Sequence, residues 1–102
     1  MYQLIFFVPE DHAEAVKSAL FEAGAGAFNN YDRCSWETKG TGQFRPLENS
    51  NAFIGSRGRL ERIPELRVEM ICREDRLEAA LKALKDAHPY EEPAYYAVKT
   101  VI

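Results

Sequence analysis

The densest concentration of reactive groups is the run His88-Pro89-Tyr90-Glu91-Glu92-Pro93. An imidazole titrates near neutral pH, and together with carboxylates it can hold a divalent cation or move a proton. His88 and Glu91 are the pair expected to ligate such an ion, with a divalent metal as the cofactor class. The plainer reading is a helix end: a cation is favoured in a last helical turn, Pro89 stops the helix, and the two glutamates solvate a turn. Cys34 has the chemistry of a soft ligand or nucleophile, but its alternating run with Trp36 also suits a small buried hydrophobe. His12, beside Glu10, Asp11 and Glu14, reads as a solvated helix start. Ser35 lacks the flanking glycines of a nucleophile elbow. Gly40-Thr41-Gly42 is followed by Gln43-Phe44 rather than a lysine and a hydroxyl residue, so it is not a phosphate loop of the Walker type. A nest of backbone N–H groups for a small anion is the alternative there. No residue is assigned as catalytic.

The elements that must position these groups follow from periodicity. Met1–Val8 is aromatic and β-branched and is closed by Pro9, which marks a strand. Val16, Ala19, Leu20 and Ala23 recur at helical spacing, and Gly24 and Gly26 end that helix. Leu66, Val68, Met70 and Cys72 alternate with polar partners as a second strand, and Leu77, Ala80, Leu81, Leu84 and His88 again follow helical spacing. Shifting the first helix by 64 residues superimposes Glu10, Asp11, Glu14, Ala15, Ala19 and Leu20 on Glu74, Asp75, Glu78, Ala79, Ala83 and Leu84. The chain is therefore read as two copies of one strand–helix–strand unit, with Ala94–Ile102 as the last strand. Arg33–Thr38 and Gln43–Arg45 read as an extra β-hairpin turning at Lys39–Gly42. The predicted fold is α+β: a ferredoxin-like βαβ-βαβ sandwich, with a four-stranded antiparallel sheet and two helices on one face. Residues 39–65, broken by proline, glycine and asparagine, form a long connection of the kind that carries function or is ordered by a partner. The uncovered sheet face must display alternate residues of strand one, either Ile5 and Phe7 or Leu4 and Phe6. An apolar face of that kind predicts self-association or a covering protein.

Bulk properties narrow the function classes. A length of 102 residues, with 46% hydrophobic and 12% aromatic side chains, suits one domain over 1–102 with a packed core. A net charge of −3 argues against nucleic acid as a partner. Arg57, Arg59, Arg62 and Arg67 are interleaved with Glu61, Glu65 and Glu69, a mixed-sign pattern that suits a solvated face or pairing between subunits. No apolar run approaches the roughly 20 residues of a membrane span. The opening strand lacks the basic region of a leader, and Cys34 and Cys72 share no close spacing, so a reducing, cytoplasmic setting is expected.

Several spaced motifs carry a family resemblance: Gly24-Ala25-Gly26, Tyr31-Asp32-Arg33-Cys34-Ser35-Trp36, Gly40–Pro46, Phe53-Ile54-Gly55, Gly58, Glu61 and His88–Tyr95. Over essentially its whole length the chain resembles the domain inserted in the Nif-three-like, GTP cyclohydrolase type 2-like proteins. The His-Pro-Tyr stretch also resembles the divalent-ion-tolerance protein CutA. Both sit in a PII-like, ferredoxin-like group, and the resemblance implies a homotrimer. It also implies that the two-metal centre of the full-length proteins, built by flanking lobes, is not carried by a stand-alone chain of this length. After Leu47 the chain departs from the common pattern, since Glu48–Ala52 lacks a glycine and a proline.

The expected function is a non-catalytic, PII/CutA-like binding or regulatory module, a homotrimer with small-ligand or metal-ion sites between subunits. Tyr31, Cys34, Gly40, Gly42, Arg45, His88, Tyr90, Glu91 and Glu92 are the expected ligand-binding residues, and a small anionic ligand or another protein is a candidate partner. The alternatives are a purely structural or interaction module and, more weakly, a small metal-dependent enzyme using His88, Glu91 and Cys34.

Overall fold

The computed structural model describes all 102 residues. Its strands are β1 (Tyr2–Pro9), β2 (Trp36–Phe44), β3 (Glu61–Cys72) and β4 (Tyr95–Lys99), and its helices are α1 (Ala13–Glu22) and α2 (Leu77–Ala87). The strands form one antiparallel sheet in the order β2-β3-β1-β4. This is the ferredoxin-like order expected from the repeat. Each strand–helix junction passes through a short 3₁₀ turn, Glu10–His12 and Glu74–Arg76, so the two copies match even in how their helices start. No helix is long and apolar enough to cross a membrane.

Strand alternation divides the side chains between two faces. Leu4, Phe6 and Val8 of β1 and Leu66, Val68, Met70 and Cys72 of β3 point to the helices. There they meet Ala13, Val16 and Leu20 of α1 and Ala80 and Leu84 of α2 in one buried cluster. Ile5 and Phe7 fall on the opposite face, which settles the choice left by the sequence. Just past α1 and its C-cap Ala23, Gly24 takes a φ of 105°, and Ala25 N–H donates to the Leu20 carbonyl, closing the helix end with a glycine.

The structure corrects the expected hairpin. Trp36–Phe44 is one uninterrupted strand paired with Glu61–Glu69, and there is no turn at Lys39–Gly42. Gly40 and Gly42 are absent from the positive-φ glycines, which are Gly24, Gly26, Gly55 and Gly58. Glycine here serves space rather than a turn: a Cβ at Gly42 would run into the Glu65 carboxylate, whereas one at Gly40 would meet nothing within 4 Å. The hairpin that does form is β2–β3, closed by the long connection of residues 45–60. β3 also begins at Glu61, before the expected Leu66. Pro64 lies just past the last β1 pair, Pro9↔Glu65, where β3 keeps a neighbour on one side only and a proline is tolerated.

These two glycines give a test of strand against turn. Gly40→Ala is expected to be neutral or to stabilise the fold by up to about 0.5–1 kcal/mol, because alanine suits an extended strand better. Gly42→Ala is expected to cost about 1–3 kcal/mol through the clash with Glu65. Urea unfolding of the two variants measures both; equal damage at the two positions would indicate a turn.

Candidate functional site

Three elements end at the same edge of the sheet: β1 at Pro9, β2 at Phe44, and β3, which begins at Glu61. The α2–β4 turn and the connection of residues 45–60 close over that edge. Between them lies a cleft of about 830 Å³. Phe44, Arg45, Leu47, Phe53 and Ile54 wall it, Phe7, Glu65 and Tyr90 line its sheet side, and Glu48, Glu91 and Glu92 supply carboxylates.

A chain of hydrogen bonds sets the floor. α2 stops at Ala87 because Pro89 forces His88 out of the helical region, to φ −70° and ψ 136°. His88 therefore caps the helix rather than completing its last turn, and its ring turns inward to 6% exposure. His88 Nε2 lies 2.7 Å from the Phe7 carbonyl, and the Tyr90 backbone N–H donates to His88 Nδ1 at 3.1 Å. Because Nδ1 accepts, the proton belongs on Nε2, which donates to Phe7; both ring nitrogens are occupied by the backbone. The Tyr90 hydroxyl then donates to Glu65 Oε2 at 2.7 Å. The Tyr90 ring stacks obliquely on His88 at 4.9 Å and on Phe44 at 5.9 Å.

The long connection is tied down separately. Both carboxylate oxygens of Glu91 accept from the Asn51 N–H, at 3.1 and 3.0 Å. Phe53 meets the His12 ring edge-on at 5.3 Å, Arg57 donates to the Ser50 carbonyl, and Gly58 N–H donates to the Pro46 carbonyl.

The expected site residues thus divide. Gly42, Arg45, His88, Tyr90, Glu91 and Glu92 gather at the cleft or directly beneath it, and Gly40 lies across from Glu65 on β2. Tyr31 and Cys34 do not join them. Their loop is fixed at the other end of the sheet by Gly26 N–H to the Ile71 carbonyl and Cys34 N–H to the Gly26 carbonyl. Ile71 and Glu65 are separated by six residues of extended strand, about 20 Å. His88 and Glu91 direct their polar atoms at backbone partners, and no group of three His, Cys, Asp or Glu side chains is arranged to hold a metal ion. Glu65 and Phe53 are cleft residues that sequence reasoning missed, as was Asn51, whose backbone N–H anchors Glu91. Glu65 carried a usable signal, since the alternation of β3 continues back through Arg67 to Glu65 and Ile63, opposite two glycines.

The electrostatics follow from burial. Burial pulls the His88 pKa below its ordinary 6.5, outweighing the opposing effects of the Phe7 hydrogen bond and the Glu65 charge; His12 adds to the lowering. Burial first, then the bond to Glu65, raises the Tyr90 pKa far above its usual range, so the phenol stays a donor. Since the folded pKa of His88 lies below the unfolded one, acid favours the unfolded chain. This contribution to stability is complete above about pH 6.5 and is lost as pH falls below it. The urea midpoint is expected to drop between about pH 7 and about pH 5, with His88→Asn flattening that drop. An unchanged slope in His88→Asn would overturn this assignment.

No protein-family model matches the chain. It is 46% identical over 93% of its length to a GTP cyclohydrolase 1 type 2 homolog of Halalkalibacterium halodurans and covers 26% of that protein. It is also 46% identical over 89% of its length to the protein of the same name in Mycobacterium leprae, of which it covers 24%. Among solved structures, a Bacillus cereus protein related to NIF3 superposes with a TM-score of 0.84 at 40% identity, over 99% of this chain and 26% of that one. CutA of Pyrococcus horikoshii superposes with a TM-score of 0.71 at 21% identity, over 100% of this chain and 86% of that one, a likeness of fold. The chain spans about a quarter of the length of the curated relatives it matches. The chain is accordingly an α+β domain with the fold seen in CutA, and it is similar in sequence to a segment that makes up about a quarter of the Nif-three-like proteins.

Proposed function

We propose that this chain, folding as a single unit over 1–102, is a non-catalytic binding or regulatory module that assembles as a homotrimer and takes a small ligand in the cleft beside Tyr90. The observation that carries the reading is the cleft itself. Its volume lies in the range of small-molecule sites, about 300–1,000 Å³. Its floor is held by hydrogen bonds from three elements, β1, β3 and the α2–β4 turn, as a pre-formed site requires. The imidazole beneath it is spent on Phe7 and Tyr90, and the Tyr90 hydroxyl is spent on Glu65. The activity in the names of its relatives belongs to proteins about four times as long.

Self-association rests on the uncovered sheet face. Phe7 and Tyr96 meet there edge to face at 6.3 Å, and Trp36, Tyr96 and Val98 are 60%, 57% and 48% exposed. Because Phe7 and Glu65 belong both to this face and to the cleft, a neighbouring copy packed on the face would border the cleft. Such packing would set the cleft between subunits. The same face favours a second reading, in which docking onto another protein is the whole function.

Two measurements separate these readings. Light scattering is expected to give about three times the chain mass, with Trp36→Glu shifting the assembly towards monomer; a stable monomer overturns the trimer. Isothermal titration against nucleotides, small amines and divalent ions is expected to find a saturable ligand, and silence across that panel would leave the docking reading.

A further inference from the structure

Glu65 is only 9% exposed, yet just one of its carboxylate oxygens is matched by the protein. Oε2 takes the Tyr90 hydroxyl at 2.7 Å; Oε1 receives no hydrogen bond and lies over Gly42, where the missing side chain leaves room for it. No fully buried side-chain polar atom of the chain lacks a partner, so Oε1 must reach the solvent of the cleft that Glu65 lines. A carboxylate oxygen in a narrow, partly desolvated place interacts more strongly with a positive partner than the same oxygen in open water. Tyr90 fixes its direction, and the His88 bonds fix Tyr90.

The surroundings repeat the same preference. Glu48, Glu65, Glu91 and Glu92 face the cleft against a single cation, Arg45, which makes no ion pair with any of them. An anion placed there would meet four like charges. A hard metal ion needs about six oxygen ligands, and no cluster of three candidate side chains exists. The walls are instead aromatic and aliphatic: Phe44, Phe53, Tyr90, Leu47 and Ile54. Aromatic faces next to a free carboxylate oxygen suit a cation carrying an apolar body.

We propose that the cleft is a receptor for small organic cations, a primary ammonium or amidinium group on an apolar or aromatic body, with Glu65 Oε1 as its principal acceptor. This rests on the reading of the cleft as a small-ligand site and names the ligand class it takes. The cation donates to Oε1, and the body lies between Phe44, Tyr90 and Phe53.

The test is an amide-shift NMR titration of the isotope-labelled chain with matched probes: phenethylamine and benzamidine as cations, phenylacetate as the anion, 2-phenylethanol as the neutral body. Both cations are expected to shift the Gly42, Glu65 and Tyr90 amides saturably, while the anion leaves them unmoved and the alcohol binds more weakly. Glu65→Gln is expected to weaken the cations by about tenfold or more, the scale of one charge-assisted hydrogen bond. Should that variant fail to fold, Glu92→Gln and a salt series serve instead: affinity falling with each supports the proposal, and affinity indifferent to both overturns it. If phenylacetate or 2-phenylethanol binds as well as phenethylamine, the cleft is a ligand site and the cation class is wrong. If no probe perturbs the cleft, the cation receptor is overturned, and the broader titration panel then decides separately whether the cleft binds anything.

Discussion

The inward turn of His88 is the constraint on which the working end of this molecule depends. Pro89, two residues past the end of α2, forces His88 out of the helical region and delivers its imidazole beneath the sheet edge. There it joins the Phe7 carbonyl of β1 to the Tyr90 N–H of the α2–β4 turn. Tyr90 in turn reaches Glu65 on β3. Three segments distant in sequence are thereby held by one neutral ring. A buried group with both polar atoms paired costs little, whereas a buried group missing either partner would be expensive. That asymmetry favours one geometry for the cleft floor over alternatives that would leave a ring nitrogen unpaired.

The scaffold around this end follows from repetition. Each unit uses a strand with one apolar face, an acidic 3₁₀ turn and a short helix whose buried residues meet that face. The core needs only two helices because the sheet is covered on one side. The other side keeps Ile5, Phe7, Trp36, Tyr96 and Val98, mixed with the ion pair Arg67–Glu69 and the bond from Gln3 to Glu69. Such a face is apolar enough to pack on a partner and polar enough to set its register.

Both helices, the alternation of β1 and β3 and the ferredoxin-like α+β fold were legible in the sequence because they depend on period and local stop signals. The β2 strand was not. Gly40-Thr41-Gly42 looks like a turn when read locally, and only the cross-strand position of Glu65, a non-local fact, shows that the glycines make space. The site was legible by halves for the same reason. The His-Pro-Tyr-Glu-Glu run announced itself through residue types, whereas Tyr31 and Cys34 stood close to the hairpin in sequence but at the opposite sheet end in space. The alternation of β3 gave Glu65 a face, but its place in the cleft shows only once that strand is paired with β2. His88 itself was noticed for metal chemistry, while its structural use comes from burial, which spacing does not report.

The central claim is that a neutral His88, protonated at Nε2, buttresses the cleft. The most direct measurement is a long-range nitrogen–proton NMR correlation of the His88 ring across the neutral and mildly acidic range. The account predicts the Nε2–H tautomer with Nδ1 unprotonated, persisting below the ordinary titration midpoint of 6.5. A proton on Nδ1, or an imidazolium at neutral pH, would contradict it.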